Sequence, residues 1–209
     1  MDQNKILRDL ILSYEHAVYE RDNHQIADWM KHQRQRFLNL LNTEGQTKLI
    51  DIGSGTGIHG NFFQEHGIDV TCVDISPANV AKCKEKGLES YLLNVMDLDS
   101  IGKIFDCAFA LNSLLHIPTS QLSLTLSNIH DVLEPNGLFF WGQYGGEYRE
   151  GIYDEDTYEP KRFYSLLDDT QIQEKASKMF DIEDFMTVSI KDITPLYFQS
   201  LILRVKDLK

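Results

Sequence analysis

Four glycines fall within eight residues, at Gly53, Gly55, Gly57 and Gly60, directly after the apolar run Leu49-Ile50-Asp51-Ile52. Glycine lets a ligand come against bare backbone, and a helix starting behind the turn offers N–H groups with no internal partner. In open α/β sheets ligands sit at the carboxyl ends of the strands, so a strand running into this turn, with Ser54 inside it, is placed for a nucleotide-like ligand. Asp74 follows Gly55 by nineteen residues, the position of an acid that binds ribose hydroxyls from the end of the second strand.

Two ligand classes satisfy these residues. Gly55-Thr56-Gly57-Ile58-His59-Gly60 matches G-x-G-x-x-G, the fingerprint of a nicotinamide dinucleotide site. Asp51 weighs against that reading, because a carboxylate beside the turn repels a pyrophosphate and favours a phosphate-free, cationic nucleoside.

The elements around the turn follow from periodicity. Ile6, Leu7, Leu10, Ile11, Tyr14 and Val18 share one face of a helix over 4–20, and a second helix spans 25–41. From Lys48 short apolar runs at 48–52, 70–73, 90–93, 105–111 and 138–141 alternate with helical stretches. Ser76-Pro77 starts one of these, and Leu122, Leu126, Ile129 and Leu133 stripe another up to Pro135-Asn136-Gly137. Apolar strands alternating with helices predict a parallel sheet covered on both faces. Residues 142–162, rich in glycine, tyrosine and acid, read as a long loop and 169–178 as a helix. Strands at 180–190 and 196–206, joined by a turn at 191–195, must be antiparallel. The chain of 209 residues thus reads as one compact unit: a helical cap over 1–42 on an α/β domain over 43–209.

Leu49 to Gly60 resembles the first motif of class I S-adenosylmethionine-dependent methyltransferases, and Val73-Asp74-Ile75-Ser76-Pro77 resembles their second-strand motif. Met96-Asp97-Leu98, Phe105-Asp106-Cys107-Ala108-Phe109 with Leu114-Leu115-His116, and Leu133-Glu134-Pro135-Asn136-Gly137 resemble the motifs that follow. Asn136 replaces a customary glycine, a mild departure because asparagine tolerates left-handed geometry. The resemblance covers about residues 48–142 and extends, through the C-terminal hairpin, to an uncharacterised bacterial branch of small-molecule enzymes. It implies a Rossmann-like, seven-stranded, mostly parallel sheet and S-adenosylmethionine as cofactor. It also implies contacts from Asp51, Gly53, Ser54, Gly55, Gly57, Asp74, Ile75, Met96, Asp97, Leu98 and the fourth-strand exit Leu111-Asn112, with Arg21 facing the methionine carboxylate, a solvated surface arginine being the plainer reading of that residue. The implied activity is methyl transfer to a small-molecule acceptor. A nicotinamide-dependent oxidoreductase and a non-catalytic S-adenosylmethionine-binding protein are the alternatives.

His116 and Tyr144 follow the fourth and fifth strands and are the candidates for a catalytic role, a packed histidine and a wall tyrosine being the plainer readings. Tyr148, Tyr153, Tyr158 and Tyr164 interleave with Glu147, Glu150, Asp154, Glu155, Asp156 and Glu159. These carboxylates match no metal-binding loop, so no metal is expected, and their charge favours a neutral or cationic acceptor. The segment they occupy is expected to cover the acceptor site as a mobile flap with the N-terminal helices. A net charge of -12 makes nucleic acid a poor partner. Met1 to Leu10 lacks the apolar core of a signal peptide and no stretch is long enough to span a membrane. The three cysteines show no C-x-x-C spacing, so the expected location is cytoplasmic.

Overall fold

The computed structural model describes residues 2–190 and 195–207. Two helices open the chain, α1 (Gln3–Asp22) and α2 (Asp28–Glu44). Asp2 caps α1 by accepting from the Asn4 amide, and Gly45 closes α2 in the left-handed conformation at φ 70°. There follow β1 (Lys48–Ile52), α3 (Ile58–Glu65), β2 (Asp69–Asp74), α4 (Pro77–Glu85), β3 (Glu89–Leu92), β4 (Phe105–Leu111), α5 (Thr119–Asp131) and β5 (Leu133–Gly145). The remainder is β6 (Arg149–Ile152), β7 (Phe163–Leu166), α6 (Asp169–Ala176), β8 (Phe180–Ser189) and β9 (Tyr197–Val205). Ser76 caps α4 ahead of Pro77, as its sequence predicts, and Asp168 with Gln171 forms a capping box on α6.

Seven strands form one sheet in the order β3-β2-β1-β4-β5-β9-β8. The strands from β3 to β5 run parallel, while β9 pairs antiparallel with both β5 and β8. This is the expected Rossmann-like sheet with an antiparallel C-terminal pair; residues 191–194, most of the expected turn between its strands, lie outside the described residues. The strand order reverses between β1 and β4, which opens a crevice at their carboxyl ends.

The central strands divide their side chains between two cores. Ile50 and Ile52 join Val73, Ala108, Ala110, Phe139 and Trp141 on the face covered by α5 and α6. Leu49 joins Val70, Cys107, Phe109, Phe140 and Phe198 on the other, packed under α2 and α3 with Phe37 and Phe63. Asp51, one residue from Ile50 and Ile52, therefore points to the α3 side.

The stretch 142–162 is not one long loop. β5 continues to Gly145 because β9 runs on beside it, pairing Gly142 with Ser200 and Gly145 with Tyr197. Only glycine fits at position 142, where a Cβ would lie 2.4 Å from the Phe198 ring. Beyond it β6 and β7 make a separate two-stranded sheet. At its other end β5 starts at Leu133, which pairs with Phe105 and so leaves the helical stripe. Asn136 takes φ 64°, the left-handed geometry that the turn requires.

Candidate active site

Two adjoining cavities open at the sheet crevice, one of about 280 Å³ and one of about 360 Å³. Gly53, Gly55, Leu111, Asn112, Tyr14, Arg21 and His116 line both. The turn between them is fixed from β2: the amides of Gly53 and Ser54 both donate to the Val73 carbonyl, at 2.9 and 3.1 Å. Gly53 and Gly55 adopt φ of 67° and 56°. A Cβ on Gly53 would lie 2.3 Å from Cβ of Ser113, whereas a Cβ on Gly55 would project into open space with only an Arg21 nitrogen nearby, at 3.7 Å. Backbone closeness at Gly53 therefore serves packing, and at Gly55 it leaves room for a ligand.

Asp74 binds the turn directly. Its carboxylate accepts from the Gly55 amide at 2.8 Å, the Ser76 amide at 2.9 Å and Asn79 Nδ2 at 3.1 Å, and it lines the smaller cavity. Ile75 and Met96 line the same cavity, whose outer wall is Ile6, Leu7 and Leu10 of α1. Leu111 and Asn112 stand at the junction, and Asn112 (φ 54°) keeps its Oδ1 buried without a hydrogen-bond partner. Ser54 reaches the larger cavity, its hydroxyl 3.6 Å from Cys83 Sγ.

Four positions expected at the cofactor line neither cavity. Asp51 sits behind the turn on the α3 side, accepts from the Gly60 amide and leaves Oδ2 unpartnered. Burial, with the nearby Asp74 charge, pushes its carboxyl up to about 7. Its expected electrostatic effect on a bound phosphate is weakened accordingly. Gly57 packs against α4 and β3, where a Cβ would meet Leu88 at 2.7 Å and Cys83 at 2.9 Å. In the tight turn Val95–Ile101, Met96 faces inward, Asp97 is exposed and Leu98 is buried in the core. The backbone kinks at Asp97 (φ -122°, ψ 25°), and the three side chains part there.

Arg21 is set deeply and is no solvated surface arginine. Nη1 donates to the Tyr158 hydroxyl at 3.2 Å, the guanidinium lies 4.9 Å from the Tyr14 ring centroid, and Nε is buried with no partner. No carboxylate pairs with it among the described residues. Its stripe on α1, Leu7, Leu10, Tyr14 and Arg21, has the helical spacing that the sequence shows, but two of those residues serve the cavities through polar groups.

His116 is buried, with both nitrogens engaged. A carbonyl only accepts, so Nδ1 carries the proton and donates to the Phe163 carbonyl at 2.7 Å, while the Tyr14 hydroxyl donates to Nε2, also at 2.7 Å. Burial, with the charges of Arg162 and Arg21, holds the imidazole down to about 3. It is therefore a neutral, packed histidine that orients Tyr14. Tyr144 walls the larger cavity, with its phenol near Asn112 and its ring 6.2 Å from Trp29. His59, Tyr158, Tyr164 and Arg162 line that cavity too, and sequence periodicity did not single out Arg162. Among the described residues no group of three or more His, Cys, Asp or Glu side chains is placed to hold a metal ion.

The histidine geometry carries a pH dependence. Below its free value of 6.5 the unfolded chain takes a proton on His116 that the folded protein refuses until about 3. The stabilisation is complete above that upper value and is lost as pH falls through the window. Asparagine can both donate to Phe163 and accept from Tyr14, so His116→Asn should fold. Its stability deficit, measured by urea unfolding, should shrink by ~2 kcal/mol between about pH 7.5 and about pH 5, at ~1.4 kcal/mol per unit. A deficit independent of pH would show that the imidazole is not held neutral.

Residues 49–137 match a family described as a methyltransferase domain. The chain is 28% identical over 130 residues to glycine/sarcosine N-methyltransferase from Halorhodospira halochloris, covering 56% of this chain and 48% of that protein. It is 30% identical over 121 residues to glycine N-methyltransferase from Rattus norvegicus, covering 48% of this chain and 41% of that protein. The matched segment thus spans about half the length of these curated relatives or less. In fold, the chain resembles 1,6-didemethyltoxoflavin-N1-methyltransferase from Burkholderia thailandensis, solved with its namesake ligand and S-adenosylhomocysteine. That likeness has a TM-score of 0.75 at 20% identity over 99% of this chain and 92% of that one.

Proposed function

We propose that this protein transfers a methyl group from S-adenosylmethionine to a small-molecule acceptor. One observation carries the reading: in a methyltransferase domain, the opening above Gly55 faces a guanidinium, that of Arg21, which lacks a carboxylate partner among the described residues. The residues present fit the cofactor. Gly53 and Gly55 offer backbone to it. Asp74 uses three of the roughly four acceptor positions of a carboxylate on the turn, leaving one for a ribose hydroxyl. Ile75 and Met96 give apolar contact for the base, Arg21 suits the methionine carboxylate, and the unpartnered Asn112 Oδ1 suits the ammonium.

S-adenosylmethionine, when bound, supplies an electrophilic methyl group for in-line displacement. The chain's own contribution is placement, and aligning two reactants as a near-attack pair is worth ~7–11 kcal/mol of a barrier. Burial pushes the Asp74 carboxyl up, and its donors Ser76, Asn79 and Gly55 oppose that shift, so its part is to hold the turn and the ribose and not to act on the sulfonium. α1 borders both cavities and is tied to the segment before β7, which borders the larger one: Ser13 donates to the Pro160 carbonyl, His16 to that of Glu159 at 2.9 Å, and Arg21 to Tyr158. Opening of this pair as a unit admits ligands, with 1–42 acting as the cap. The buried, unpaired thiols Cys72, Cys83 and Cys107 support a cytoplasmic setting, and among the described residues no helix is long and apolar enough to cross a membrane.

Calorimetry tests the reading. S-adenosylmethionine and S-adenosylhomocysteine should both bind, NAD should not, and a panel of acceptors should release S-adenosylhomocysteine. Binding of NAD in place of both nucleosides would return the chain to the oxidoreductase alternative.

A further inference from the structure

The larger cavity is chemically one-sided. Its charged groups are Arg21 and Arg162, with Glu20 exposed at the rim, where solvent screens it. The carboxylates Glu147, Glu150, Asp154 and Glu155, whose number suggests a neutral or cationic ligand, do not line it. Asp156 is buried but faces the far edge of Arg162, accepting from the backbone amide and Nε at 2.9 Å and from Nη2 at 2.7 Å. That leaves Nη1 directed at Tyr14, whose hydroxyl it meets only at 3.4 Å.

The tyrosines complete the pattern. A cationic acceptor would seek their faces. Those faces already surround the chain's own cation: the Arg162 guanidinium lies 3.5 Å from the centroid of Tyr158, 5.3 Å from Tyr164 and 5.5 Å from Tyr14. The Tyr158 oxygen accepts from Arg21, so its own proton remains to donate. An acceptor with an intact O–H needs a base, and the histidine beside Tyr14 has both nitrogens occupied.

Resting on the methyl-transfer reading, we propose that the acceptor is a small planar organic acid bound as its anion, with its negative charge taken by Arg162 Nη1 and the Tyr158 hydroxyl. For such an acceptor a lone pair already free on the anion forms the new bond to the methyl carbon as the carbon–sulfur bond breaks, that bond's electron pair stays on sulfur, S-adenosylhomocysteine leaves, and no proton needs a destination on the protein.

Three probes of equal size and different charge test this: benzoate, benzamide and benzylamine, titrated calorimetrically with and without S-adenosylhomocysteine. Benzoate should bind about tenfold tighter than benzamide, the scale of one charge-assisted hydrogen bond, and benzylamine more weakly than either. Arg162→Gln should erase the preference for benzoate. Because it strands the Asp156 carboxylate, the charge-neutral pair Arg162→Gln with Asp156→Asn is measured beside it, with S-adenosylhomocysteine binding as the check on folding. Equal binding of the three probes, tighter binding of benzylamine, or an unchanged benzoate preference in the folded double variant overturns the proposal. Failure of S-adenosylhomocysteine to bind would instead defeat the methyl-transfer reading, while the apo titrations still report the preference for an anion.

Discussion

Replacing Arg21 by methionine should cost ~2–4 kcal/mol of S-adenosylhomocysteine affinity, roughly thirtyfold to a thousandfold, and leave the ligand-free protein as stable as before or slightly more so. The two effects share one cause. The guanidinium is held between Tyr14 and Tyr158 with Nε shut away from any partner, so the empty protein bears a desolvation cost that these two rings offset in part and an anion in direct contact offsets further. Methionine keeps the packing volume and removes the charge. Adenosine, which has no carboxylate, should bind wild type and variant equally well in the same calorimetric titration. If adenosine weakens in parallel, or the melting temperature falls without ligand, Arg21 acts as a structural brace for α1.

Two glycines a single residue apart should respond oppositely to alanine. Gly53→Ala places a Cβ 2.3 Å from the Ser113 Cβ at a backbone φ of 67°. Left-handed strain of ~1–2 kcal/mol adds to ~1–3 kcal/mol of overpacking, and the melting temperature should drop by about 5–15 °C. Gly55→Ala bears similar backbone strain at φ 56° but meets no neighbour closer than 3.7 Å. Its thermal loss should be the smaller, while S-adenosylhomocysteine binding should fall by ten times or more because the methyl occupies ligand space. Thermal melts and titrations of the pair decide it: equal melting losses with equal binding would mean that the turn tolerates side chains alike at both places. The initial expectation gave both glycines the same part, close approach to a ligand, and the Ser113 contact separates them.

What the sequence made legible was whatever depends on local pattern. The strand–turn–helix around Gly53, the Ser76-Pro77 cap and the antiparallel end of the sheet all follow from periodicity and turn chemistry, and all appear in the fold. The direction of a side chain was less legible. Asp51 belongs to the motif yet points behind it, because a strand alternates and Ile50 and Ile52 hold the opposite face. Asp97 and Leu98 turn away from Met96 where the backbone kinks at Asp97, which no local pattern announces. Least legible was charge that depends on partners distant in sequence. The acids between Glu147 and Glu159 suggested a negative surface over the acceptor, but Asp156 is spent on Arg162 and the other carboxylates face elsewhere. Arg21 and Tyr158 meet across 137 residues of chain, a contact that no window of sequence contains.

The family match begins at residue 49 and ends at residue 137, whereas α1 and the segment from β6 to β7 lie outside it. Under the proposed function this divides the labour between inheritance and novelty. The floor of the crevice that grips the methyl donor is built by the sheet and its outer wall by α1, so drift in the floor is constrained by the core packed on both faces of the sheet. Tyr14, Tyr158, Arg162 and Tyr164, which meet the acceptor, stand on flanking pieces that contribute little to that core. A lineage that keeps Arg21 on α1 can therefore exchange the segment from β6 to β7 and acquire a new acceptor without relearning how to hold the donor, and the end of β5 marks where a designer should graft.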